Sequence, residues 1–229
     1  AALDVVEGLR LLLANGMFAE AEELMAAHFL RLYVQPERVY PLLASLPDDE
    51  VAKMPMTAGM RLILGQGVPE APVAEIAKWA TQTRDAVAAT HPADAQEMDA
   101  TYLALLVGSN RILGDWAETE RLMQALESRL ASHHSRNSWE KWSTLPLSYA
   151  VLALTGLLLG EFDVAERATR LAVNLAASEK NPAEQVRTNN LHALALALRG
   201  QMFEAQRHLD TSKEITEATG ADASEVNRS

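Results

Sequence analysis

The sequence predicts an all-α chain, wound as a right-handed α-α superhelix of about five helical hairpins. Three observations carry this expectation. Hydrophobic residues make up 48% of the 229 and aromatics only 5%, with alanine and leucine dominant, a balance that favours helices over strands. A nine-residue phrase recurs: "GMFAEAEEL" from Gly16, "GDWAETERL" from Gly114, "GEFDVAERA" from Gly160 and "GQMFEAQRH" from Gly200. An apolar helical run precedes each glycine: "LRLLLAN", "LVGSNRIL", "LALTGLLL" and "LALALALR".

Each part of the phrase has a physical role. Glycine serves where a helix ends in a left-handed turn. The large apolar residue two positions on (Phe18, Trp116, Phe162, Met202) is expected to plug the hairpin. The small residue (Ala21, Thr119, Ala165, Ala205) lets the two helices approach, and acidic residues suit the first turn of the second helix. The glycines are spaced by 98, 46 and 40 residues. The first interval is twice 49, so a fifth copy is expected near residue 65, where "MRLILG" reaches Gly65 before a longer, proline-bearing turn, "QGVPEAP". Periods of this size mark an α-solenoid. They exceed the tetratricopeptide (TPR) period of about 34, so the array is TPR-like with longer helices or connections.

In chain order, the first helices are expected at about 3–15, 55–64, 96–113, 144–159 and 184–199. Their partners are expected at about 17–33, 73–90, 115–133, 162–178 and 202–218. A short helix is placed at 37–46, with Pro36 at its start and Pro47 after its end. The repeat domain then covers 1–219, and the polar segment 220–229 reads as a frayed end or linker. The chain enters a helical pattern almost at once from Ala1, as a piece of a longer protein would. The most apolar run, Leu145 to Gly160, is 16 residues and contains Pro146, Ser148 and Thr155. A membrane span needs about 20 apolar residues, so this run is read as a buried helix and no membrane association is expected.

The net charge of −11 and the scattered lysines and arginines argue against direct nucleic-acid binding. The absence of cysteine excludes disulfides and thiolate metal sites, and suits a cytoplasmic protein. No phosphate-binding loop, nucleophile elbow or zinc-protease motif is present. "GQG" at 65–67 is not a dinucleotide fingerprint, since Glu70 occupies the third glycine position. No catalytic residue, metal site or cofactor is therefore expected. His133 and His134 suit a helix C-terminus, although a metal or proton site is the alternative reading. His28 and His192 fall on packing positions. Asp48 of "PDDE" is expected to cap a short helix that follows.

Candidate binding residues come from the groove and from one aromatic cluster. Trp139, Trp142 and Tyr149 gather in "WEKWSTLPLSY", suited either to stacking on a sugar or peptide or to internal packing. Tyr149 is assigned to the core. First helices line the concave face of such arrays. Counting 13, 10 and 3 residues back from the glycines selects Thr101, Ala104 and Arg111; Leu147, Ala150 and Leu157; Arg187, Asn190 and Ala197. The groove contacts chosen are Thr101, Arg111, Trp142, Arg187 and Asn190, for a small-molecule inducer or a partner protein or peptide, with self-association also possible.

The segment "VYPLLASLPDDEVAKMPMTAGMRLILGQG", residues 39–67, resembles the helical-repeat region of large LuxR-family transcriptional regulators of the MalT-like type. Leu43, Leu46, Pro47, Val51, Pro55 and Gly65 occupy places corresponding to that family's phrase, though Met56 replaces its usual large residue and the 65–72 turn is extended. The resemblance spans about residues 3–218. It implies a non-enzymatic sensor that binds an inducer or partner and couples it to oligomerisation and to DNA binding by flanking ATPase and helix-turn-helix modules. The other reading is a free-standing protein-interaction scaffold without a small ligand.

Overall fold

The computed structural model describes residues 4–33, 35–67, 73–91, 98–134, 144–179 and 182–220. The described residues hold thirteen helices and no strand. The first hairpin is α1 (Val5–Ala14) and α2 (Phe18–Ala27). Three short helices follow: α3 (Phe29–Tyr33), α4 (Pro36–Ala44) and α5 (Asp48–Val51). Four longer hairpins complete the stack: α6 (Pro55–Gln66) with α7 (Val73–Thr90), α8 (Ala100–Leu113) with α9 (Trp116–His134), α10 (Leu145–Leu159) with α11 (Phe162–Glu179), and α12 (Pro182–Leu198) with α13 (Met202–Thr219). Each hairpin packs on the next: α7 on α8, α8 on α10, and α11 on α12. The chain is thus an all-α, TPR-like solenoid.

The recurring phrase builds one device four times. Gly16, Gly114, Gly160 and Gly200 have φ of 69°, 77°, 79° and 79°. After each, the next N–H donates to the carbonyl five residues back: Met17 to Leu12 (2.9 Å), Asp115 to Asn110 (3.0 Å), Glu161 to Gly156 (2.8 Å) and Gln201 to Leu196 (2.9 Å). This is the Schellman closure of a helix end. Ala21, Thr119, Ala165 and Ala205 are buried in the seams, as expected.

At three of the four corners the large residue does not plug the hairpin, while Phe18 at the first is half-buried. Trp116 is 45% exposed, Met202 65% and Phe162 37%. As the first residue of its helix, each points back past the corner, because Cα–Cβ bonds tilt toward the helix N-terminus.

Three further expectations are corrected. Gly65 is not a corner: it lies inside α6, without positive φ, and the helix ends at Gly67. The 17–33 helix is broken at His28, with φ −126° and ψ 27°, which turns Phe29, Leu30 and Leu32 into the core. Asp48 is not a cap, since Pro47 holds that position without a side-chain bond. Instead Asp48 accepts from Arg61 at 3.0 Å and pairs with Lys78 at 2.7 Å, tying α5 to α6 and α7. Hydrogen bonds from Lys78 and Gln82, with Arg61, hold its carboxyl down at about 2.

The start of α6 is capped from a distance. Met54, its N-cap, contributes no side-chain bond. Glu22 of α2 accepts from the Met56 N–H, from the Thr57 N–H at 3.0 Å and from the Thr57 hydroxyl at 2.8 Å. Burial pushes the Glu22 carboxyl above its ordinary value, while these donors pull it down. Glu22→Ala leaves two helix N–H groups without their acceptor and should cost about 2 kcal/mol, read as a lowered urea midpoint.

One core runs through the stack, from Leu9, Met25 and Phe29 through Met60, Leu103 and Leu126 to Tyr149. Tyr149 is buried, as assigned. The outer face of α13 carries Arg207, Asp210, Lys213, Glu214 and Glu217, all exposed, and Met202, Phe203 and Leu209 are exposed on the same helix.

Candidate interaction groove

The first helices α8, α10 and α12 lie side by side, with α10 between the other two. On α10, Gly156 faces the hairpin partner: a Cβ there would meet the Ala165 nitrogen at 3.3 Å. Leu154 lies two residues away, about 200° round the helix, so its face is turned from α11. That face carries Leu147, Val151, Leu154 and Leu158. Forty residues on, the same register of α12 carries Arg187, Leu191, Leu194 and Leu198. Leu154 is 38% exposed, Leu158 57%, Leu194 47% and Leu198 51%. In the same register α8 carries Thr101, Leu105, Gly108 and Ile112: Leu105 is buried, with a Cβ on Gly59 of α6 only 2.4 Å from its side chain, Gly108 has no side chain and Ile112 is half-buried, so the leucine ridge does not continue there. The open apolar surface therefore belongs to the last two hairpins.

The residues chosen from sequence border this surface without converging. Thr101 is buried in the seam between α8 and α10, its hydroxyl 2.6 Å from that of Thr144. Arg111 is half-buried in the same seam and donates to the Thr155 hydroxyl at 3.0 Å. Arg187, half-buried on α12, pairs with the buried carboxylate of Glu184. Asn190 is half-buried one position off the ridge. Trp142 and Trp139 lie outside the described residues, as do the side chains of His133 and His134.

The two arginines differ electrostatically. Burial works against the charge of Arg187, but Glu184 prevails and its ionisation is raised above the ordinary arginine value. Tyr33 of α3 lies near enough to act on the same charge. Burial lowers Arg111 below its ordinary value with nothing offsetting it. Among the described residues no carboxylate pairs with Arg111.

The leucine ridge was missed because offsets of 13, 10 and 3 mix two faces. One residue turns a helix by about 100°, and positions 10 and 3 point into the seam. The usable signal was the matched series Val151, Leu154, Leu158 and Leu191, Leu194, Leu198, in helices apolar on more sides than packing requires.

No family model and no curated protein matches this chain. Two solved structures of a Podosopora anserina putative kinesin light chain with nearly identical TPR-like repeats, one a Q17M form, are similar to it. Both are 19% identical over 95% of this chain and 95% or 96% of theirs, with TM-scores of 0.49 and 0.48. The fold assignment rests on the helices and their corners. No helix among the described residues is long and apolar enough to cross a membrane. None of the described His, Asp and Glu side chains form a group of three suited to a metal ion.

Proposed function

We propose that this chain is a cytoplasmic, non-catalytic protein-interaction scaffold, needing no cofactor, whose partner docks on the α10–α12 ridge. The observation behind this reading is the pair of leucine ridges in matching register, open on the face away from the hairpin partners. Contiguous exposed apolar surface of this kind marks interaction sites. A photo-crosslinking residue at Leu154 or Leu194, in the native cell, should capture one recurrent protein. The same residue at Lys213, exposed among charged residues of α13, should not. Equal capture from both faces would reject the ridge.

A finer reading makes the chain the sensor region of a LuxR-family regulator, its inducer or partner acting on flanking DNA-binding modules. It is supported by the 39–67 segment, where α4 ends before Pro47, the acidic α5 follows and Pro55 opens α6. A metabolite panel distinguishes the two: an inducer would raise the melting temperature, whereas the scaffold gives a flat panel and a captured protein.

A further inference from the structure

We infer that the junction of α5, α6 and α7 holds a buried water-binding site, built from Asp48, Arg61, Trp79 and Gln82 and taking about one or two water molecules. This goes beyond the scaffold reading and does not depend on it.

The site is marked by buried polar atoms that the protein itself does not pair. Among the described residues four side-chain nitrogen or oxygen atoms are buried without a hydrogen bond, and three of them are Arg61 Nε, Trp79 Nε1 and Gln82 Oε1. Arg61 is 7% exposed and Trp79 5%. A buried donor or acceptor left unpaired is costly, and native proteins pair such groups with protein or with ordered water.

The three atoms belong to one knot of side chains. Arg61 joins its two halves: Nη1 donates to Asp48 Oδ1 at 3.0 Å, and the guanidinium carbon lies 5.7 Å from the Trp79 ring centre. Gln82 follows Trp79 by three residues on α7, which puts the two on one face of the helix. Its side chain bonds the same Asp48 carboxylate. The indole is held by its other edge. Cζ3 and Cε3 face Gly65, so the N–H edge, across the ring, points away from that notch. Asp48 and Lys78, paired at 2.7 Å, stand at the exposed rim of the knot.

The chemistry of the set selects water. Arg61 Nε and Trp79 Nε1 are N–H donors, and Gln82 Oε1 is an acceptor. Water both accepts and donates, so it meets both kinds. Its remaining hydrogen has a place as well: a carboxylate offers about four acceptor sites, and Asp48 already receives Arg61, Lys78 and Gln82. A halide would serve the two donors but would leave Gln82 Oε1 unpaired and lie beside the Asp48 charge. Turning the Gln82 amide over does not remove the demand. It would set an oxygen against Asp48 and leave an N–H unpaired instead.

The test is a crystal structure of the intact chain at a resolution that shows ordered water, with bromide replacing chloride and data collected at the bromine edge. Water density should lie within hydrogen-bonding distance of Gln82 Oε1 and of at least one of the two N–H groups. An anomalous peak there would make the occupant an anion and overturn the inference. So would N–H groups that donate straight to protein oxygens, or no density between the groups.

Solution measurements give a second reading. The Trp79 indole N–H resonance, assigned by its loss in Trp79→Phe, should show a nuclear Overhauser contact to long-lived water; its absence would count against the site. Replacing Trp79 by benzothienylalanine puts sulfur where the N–H stood and keeps the ring shape. That variant should melt about 2–4 °C lower, because the water loses a partner. An unchanged or raised melting temperature would mean that the N–H had no partner, and the site would be rejected. Circular dichroism establishes that the variant is folded.

Discussion

Valine at Gly65 is expected to destabilise the chain by about 3 kcal/mol. A Cβ there would lie 2.2 Å from Cζ3 and 2.8 Å from Cε3 of Trp79. The indole cannot swing aside. It packs with Leu62 and Ala80, meets Tyr40 edge-on at 6.1 Å between ring centroids, and has the Arg61 guanidinium 5.7 Å from its ring centre. Replacing a helical glycine normally gains about 1 kcal/mol or less, which this collision outweighs. Gly108 of α8 supplies the comparison, because a Cβ there meets nothing within 4 Å and φ is not positive. Gly108→Ala should therefore raise the urea midpoint while Gly65→Val lowers it. A lowered midpoint for both, or for neither, would reject the account of Gly65 as a notch for Trp79.

Gly65 also shows what could be read in one dimension. Its spacing located the second hairpin, α6 and α7, correctly. Its role was misread because a glycine that ends a helix and a glycine that admits a neighbour look alike in sequence. The four true corners were legible because their chemistry is local: the glycine, the carbonyl it frees and the small seam residue lie within ten residues. Contacts made across the stack were not legible. Nothing near α6 announces that Glu22, 34 residues before Met56, closes its N-terminus, or that Asp48 reaches Lys78 rather than its own helix. The groove falls between these cases. Thr101 and Arg111 fall on α8 and Arg187 on α12. The exposed ridge beside them was missed by one residue of rotation, because burial on a curved stack depends on which neighbours cover a face. Gly59 of α6 lets Leu105 of α8 pack inward and Gly108 leaves that helix without a ridge, whereas α10 and α12 carry leucines at the matching positions.

Acid should loosen the last hairpin by about 3 kcal/mol as pH falls toward 4. His192 of α12 and His208 of α13 meet edge to face, ring centroids 4.5 Å apart. His192 Nδ1 lies 2.8 Å from the Thr169 hydroxyl of α11, and His208 Nδ1 2.7 Å from the Asn189 side-chain oxygen Oδ1. Burial, followed by the charges of His208 and Arg170, depresses His192 from 6.5 to about 4, against the opposing pull of Glu166. Burial and Arg207 lower His208 in the same direction. Glu166 is already engaged by Arg170 and Arg199, so it neutralises the pair only in part. The unfolded chain takes up a proton at His192 near pH 6.5 and the folded chain only near 4. In that window the unfolded state binds more protons, and stability falls as pH falls. Urea midpoints between pH 7 and 4 should therefore decline more steeply for the native chain than for His192→Gln, whose amide can still meet Thr169. Glu22, with its raised carboxyl, acts in the opposite direction but is present in both proteins and cancels from the difference. Parallel declines would reject the histidine pair as the acid-sensitive element. Because Leu191, Leu194 and Leu198 ride on α12, the same protonation should weaken partner binding at the ridge, giving affinity a pH dependence that His192→Gln removes.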